Sequence, residues 1–101
     1  MLYFPQLQAA NMVERELEFR GISKEHLGMY FMELGARQVT DSFPFVYEGE
    51  GWSGQILSEA EISFTVTFKI SAVQVRFRAD KEKLLEDLIK KYRYKTTRIG
   101  G

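Results

Sequence analysis

The residues best suited by type and spacing to acid–base chemistry are two carboxylate pairs, Glu48/Glu50 and Glu59/Glu61. A pair of this kind can divide the work of proton donor and acceptor when its two members meet different environments. Both pairs lie in or beside turn-like stretches, where solvated acids are ordinary. His26 is the only histidine, and imidazole metal sites normally use two or more. A serine nucleophile would therefore lack its usual base, and no Gly-x-Ser-x-Gly elbow is present. With no cysteine in the chain, thiolate zinc sites, disulfides and cysteine nucleophiles are excluded. The sequence thus assigns no catalytic, cofactor-binding or metal-ligating residue, and it predicts a protein that is not an enzyme.

Two other constellations remain. Gly49-Glu50-Gly51-Trp52-Ser53-Gly54 has the glycines of a phosphate loop but neither the lysine nor the following helix that such a loop needs, so it is read as a hairpin turn. A tryptophan beside glycines suits a contact surface, which makes Glu48, Glu50 and Trp52 a candidate interaction surface, although packing in the core is the favoured reading of Trp52 itself. The end of the chain, Lys95-Thr96-Thr97-Arg98-Ile99-Gly100-Gly101, could thread a narrow active site and be activated at its carboxylate. Gly100 and Gly101 are therefore the candidate residues of a carrier-type terminus, with an ordinary frayed end as the alternative.

The elements that must hold these residues follow from periodicity. Residues 1–12 fit neither period and are read as a leader, packed or frayed, before a single domain over 13–101. Val13, Leu17 and Phe19 alternate with Glu14, Glu16, Glu18 and Arg20 as a half-buried strand. Gly21 ends it, Ser23 caps a helix, Leu27, Tyr30, Phe31 and Leu34 form its apolar stripe, and Gly35 stops it. Val39, Phe43, Phe45 and Tyr47 predict a second strand, in which Pro44 implies an edge or a bulge. Glycines 49, 51 and 54 mark a turn, Trp52 to Leu57 a third strand, and Ser58 to Glu61 a polar turn. Ile62, Phe64, Val66, Phe68 and Ile70 then alternate with polar residues as a strand with one buried face. At Ser71-Ala72 the apolar parity changes to Val73, Val75 and Phe77, which predicts a tight reversal there. Asp80 caps a second helix with the stripe Leu84, Leu85, Leu88, Ile89 and Tyr92, and Tyr94 to Gly101 is read as a polar tail. The fold class is α+β: a β-α-β-β-β-β-α order building an antiparallel sheet of four to five strands with both helices on its apolar face.

At 101 residues, with 45% hydrophobic and 28% charged residues, the chain can remove roughly 60–70% of its unfolded surface from water in one core. Fourteen bases balance fourteen acids, which argues against bulk-charge binding of polyanions. On the polar sheet face the first strand is expected beside the last, setting Glu14, Glu16 and Glu18 against Arg76 and Arg78. Such interleaved pairs leave little field for a phosphate backbone, so nucleic acid is not an expected partner. No stretch is long and apolar enough to span a membrane, and the absence of cysteine fits a reducing, cytoplasmic setting. Acids cluster over 41–61 and bases over 81–98, a split compatible with a homodimer across a two-fold axis.

Phe19-Arg20-Gly21-Ile22, Leu34-Gly35 and Tyr94 to Gly101 resemble a small domain associated with molybdopterin sulfur-carrier proteins, which in some prokaryotes follows the carrier module. The resemblance implies a TATA-binding-protein-like β-α-β4-α fold over residues 13–101. It also implies a molybdopterin or sulfur-transfer context, without a catalytic motif to carry over and without the carrier module in this chain. The function expected on all these grounds is that of a non-enzymatic binding or protein-interaction domain, with a carrier modified at Gly100-Gly101 as the alternative.

Overall fold

The computed structural model describes residues 12–100, and side chains through Thr97. Gly101 and residues 1–11 of the expected leader lie outside that range. The elements are β1 (Val13–Arg20), α1 (Lys24–Glu33), β2 (Arg37–Gln38), β3 (Phe45–Glu48), β4 (Trp52–Ser63), β5 (Lys69–Ala79) and α2 (Glu82–Gly100). The strands form one antiparallel sheet in the order β1-β5-β4-β3-β2, and both helices lie on one face of it. Fold class and element order are those the periodicity predicts.

The start of α1 follows the capping logic. The Ser23 hydroxyl accepts from the backbone N–H of His26, and Gly35 leaves the helix at φ +105°, a left-handed conformation that costs glycine little. The helices bury Leu27, Tyr30, Phe31, Leu85, Leu88 and Tyr92 against Phe19, Ile56, Val73, Val75 and Phe77 of the sheet. Tyr92 sits at the centre. Its ring lies 4.4 Å from Phe31, 5.1 Å from Phe77 and 5.5 Å from Phe19, centroid to centroid, and its hydroxyl donates to the Leu27 carbonyl at 2.6 Å. One phenol therefore links α2 to α1 while filling the core. Gly54 lies beneath the Phe31 ring, where a Cβ would collide with it. It is a strand residue that admits a close aromatic, not part of the turn that the run of glycines predicts.

Four boundaries differ from the sequence expectation. The second strand is broken: β2 ends at Gln38, the Phe43–Pro44 peptide is cis, and β3 begins at Phe45. Thr40 organises the gap, its hydroxyl donating to the Pro44 carbonyl at 2.7 Å and accepting from the Val46 N–H at 2.9 Å. No turn exists at Ser58–Glu61, because β4 continues through it to Ser63. The reversal falls at 64–68, not at Ser71-Ala72, which lies inside β5. Finally, 94–100 is not a tail but the last turns of α2. Nothing between Tyr92 and Ile99 breaks a helix, and the Thr96 and Thr97 hydroxyls bond back to the Arg93 carbonyl at 2.8 and 3.0 Å, as threonines in helices can.

Candidate functional site

The open face of the inner sheet is neutralised as the strand order requires. Glu14 stands opposite Arg78, Glu16 opposite Arg76 and Glu18 opposite Gln74. Arg78 Nε donates to Glu14 at 2.9 Å, Arg76 Nη2 to Glu16 at 2.8 Å and Gln74 to Glu18 at 3.0 Å. The acids over 41–61 do not gather into a patch either: Glu48 pairs with Arg37 at 3.4 Å, Glu59 with Lys24 at 3.8 Å and Glu61 with Lys69 at 3.9 Å. Glu59 also accepts from the Lys24 backbone N–H at 3.3 Å, where a carboxylate complements the start of α1. The hydrogen bond that the Lys24 ammonium donates to Glu25 lifts Lys24 above its ordinary value, and the same contact lowers Glu25.

The candidate surface of Glu48, Glu50 and Trp52 is not one surface. Trp52 is 9% exposed and packs 6.0 Å from Phe31, its indole over Gly49. It belongs to the core on the helix side, the favoured reading of this residue. Glu48, paired across the sheet with Ser53, lies on the opposite face, and Glu50 is exposed in the turn. Gly100 is the last residue of α2, and Gly101 lies outside the described residues. His26 is exposed, with Nδ1 3.1 Å from the Ser23 hydroxyl and its ring against Tyr30. Among the described residues no three histidine, aspartate or glutamate side chains come together as a metal set. Nor is any helix of the described residues long and apolar enough to cross a membrane.

The feature that periodicity misassigned is the outer half of the β4–β5 hairpin. In its inner half Trp52, Gly54 and Ile56 pair with Ala79, Phe77 and Val75, all facing the helices. Between Ile56 and Ser58 the register shifts. The extra residue, Leu57, is a β-bulge that moves the even-numbered positions of β4 from the helix face to the open face. At the same level β5 changes its apolar parity without a bulge, from Val73 and Val75 to Ala72 and Ile70. The two strands thus switch together. Beyond the switch the open face carries the pairs Ala60/Ala72 and Ile62/Ile70, followed by Phe64 and Phe68, whose rings stack at 5.6 Å. Glu59, Glu61 and Lys69 occupy the other side.

This outer arm runs past β1, whose last pair is Arg20 with Ala72, so among the described residues Ile62/Ile70 is flanked by no third strand. Phe64 is 52% exposed, Phe68 56% and Val66, at the tip, 94%. The turn contains neither glycine nor proline. Thr65 builds it, its hydroxyl accepting from the N–H of Thr67 at 3.3 Å and of Phe68 at 2.9 Å, while the Phe64 N–H bonds the Phe68 carbonyl at 2.8 Å. From Ser58 to the tip the open face bears no titratable side chain. Chemically it can exclude water against an apolar counterpart and do little else. A second feature is an open groove of about 800 Å³ along α2, lined among others by Leu34, Asp87, Lys90, Lys91, Tyr94 and Lys95. Its cationic character is reduced by the Lys95–Glu33 pair at 2.8 Å.

None of the curated proteins compared with this chain matches it. A family model described as "Archaeal MoaD-like protein" matches residues 15–101, from the third residue of β1 to the end of the chain. The match spans the paired sheet, both helices and the outer hairpin, and the chain therefore belongs to the archaeal MoaD-like family.

Proposed function

We propose that the chain is a non-enzymatic protein-interaction module working in molybdopterin-related sulfur transfer, and that the open face of the outer β4–β5 arm is its docking surface. Family membership supports the setting. The single observation that carries the mode of action is the coordinated change of apolar face in both strands, which sets Ile62, Phe64, Phe68 and Ile70 on the side away from the helices. A stranded arm with an apolar face that the described residues leave uncovered gains stability when another surface removes that face from water.

Complementation tests both halves of the reading. Cells lacking the gene are expected to lose most of their molybdopterin, measured as its fluorescent oxidised pterin, and to regain it with the wild-type gene. A folded Phe64→Ser/Phe68→Ser variant should restore little. Undiminished molybdopterin in the deleted strain would remove the pathway; full rescue by the variant would remove the docking surface.

The alternative, a carrier activated at its terminus, draws on the Gly100-Gly101 ending. It requires α2 to unwind, since helix runs through Gly100. Mass spectrometry after incubation with a carrier-activating enzyme and ATP decides it, an unmodified carboxyl terminus ending the idea.

A further inference from the structure

We propose that the occupant of the outer arm is the same arm of a second copy of this chain, packed face to face about a two-fold axis that crosses the Ile62/Ile70 pair. The inference rests on the docking surface proposed above and names its partner.

Side-chain size falls steadily along the open face. Phe64 and Phe68 stand near the tip, Ile62 and Ile70 in the middle, and Ala60 and Ala72 at the inner end. Ala60 is exposed, while Ala72, between Ala60 and Arg20, is already covered at 4% exposure. When two such arms stack with tips pointing in opposite directions, the two-fold sets Phe64 of each copy over Ala60 of the other and the isoleucines over one another. The spacing between the backbones is then uniform along the arm, near the ~10 Å usual for stacked sheets. With tips pointing the same way, phenylalanine would meet phenylalanine and alanine would face alanine across a void. The size gradient is therefore self-complementary in one orientation only, which is the requirement of an isologous interface.

Charge points to the same partner. The open face from Ser58 to Ile70 is uncharged, so stacking it on itself brings no like charges together. The charges of the arm, Glu61 and Lys69, pair with each other on the far side at 3.9 Å. They offer no net positive field to anionic lipid headgroups and no steering charge to a charged partner protein.

The area sets the strength. From Ala60 to Val66 the arm is roughly 20 Å long by strand rise and about 10 Å wide with its side chains. That is well under the ~800 Å² per partner of a standard interface. So small an area makes the dimer a weak and rapidly exchanging one.

Sedimentation velocity over a concentration series, from low micromolar to near millimolar, provides the test. The wild type is expected to pass from one chain to two as concentration rises. Ala60→Phe enlarges the apolar face yet blocks the site for Phe64 of the other copy, and should weaken association by about tenfold or more. The size exchange Ala60→Phe/Phe64→Ala should return it to near the wild-type value. A chain that stays monomeric throughout overturns the proposal, as does an Ala60→Phe variant that associates as well as or better than wild type, the behaviour of a merely sticky surface. Complementation separates this failure from the broader one. If the chain is monomeric but Phe64→Ser/Phe68→Ser still loses molybdopterin, the arm docks on a different protein. If neither changes, both readings fall.

Discussion

The inner and outer halves of one hairpin use the same residue types for opposite ends. Phe77 of β5 is fully buried and lies 5.7 Å from Phe31 and 5.1 Å from Tyr92. Phe64 and Phe68, at the outer end of the same two strands, keep about half their surface in water. The bulge at Leu57 in β4 and the change of parity in β5 separate the halves. The difference teaches that alternation reports which side of a strand is apolar but not which side of the sheet is covered. Two strands that change face at one level mark the boundary between a domain's own core and a face that this core does not cover.

The sharpest way to break this contrast is to truncate one phenylalanine in each half. Phe77→Ala should cost about 3–5 kcal/mol of unfolding free energy, the usual consequence of removing a fully buried ring, read by urea denaturation. Phe64→Ala should stay within about 0.5 kcal/mol, as surface changes do. Comparable losses at the two positions would show that the outer arm belongs to the folding core after all.

A smaller effect sharpens the account of the inner half. Tyr92→Phe keeps the ring but leaves the Leu27 carbonyl without its hydroxyl donor, at an expected cost of about 1–2 kcal/mol. Burial pushes the Tyr92 phenol far above its ordinary value, and burial raises Tyr47 as well. An unfolded tyrosine ionises near pH 10. Above that pH the unfolded chain releases protons that the native chain retains, so stability present below about pH 10 is lost as pH rises. Tyr92→Phe should flatten that decline, leaving the part due to Tyr47. A decline of unchanged steepness would place its origin elsewhere.

The smallest effect concerns the open face. Glu16→Gln removes the negative charge from the 2.8 Å contact to Arg76, but the two side chains are 47% and 31% exposed. The expected loss is under about 1 kcal/mol and is further reduced by salt. A larger loss would mean that these pairs lock the sheet as well as neutralise it.

Much of this was legible in the residues. The Ser23 cap, the Gly35 stop, both helical stripes and the pairing of Glu14, Glu16 and Glu18 with β5 follow from spacing and strand order. The turn at 64–68 was hidden because Thr65, Val66 and Thr67 favour strands and the alternation from Ile62 to Ile70 runs through them unbroken. A hairpin whose arms pair about Val66 places even-numbered residues of both arms on one face, so the reversal leaves no mark on the pattern. The one local signal is Thr65, whose hydroxyl can serve the amides two and three residues on. The bulge concealed the change of face in β4 in the same manner, by keeping the apolar residues on even numbers. Trp52 resembled a surface residue because its glycine neighbours suggested a turn, whereas Gly49 and Gly54 are small so that the Trp52 and Phe31 rings can lie close.

Trp52 is the chain's single tryptophan, and its place beside Phe31 makes it an optical reporter for one half of the molecule only. Its emission should follow the loss of the core during unfolding, while the outer arm, which has phenylalanine as its only aromatic type, contributes no signal at the same excitation wavelength. Self-association through that arm should therefore be silent in tryptophan fluorescence and visible in hydrodynamics, so that two instruments applied to one sample can tell assembly from denaturation without an added label.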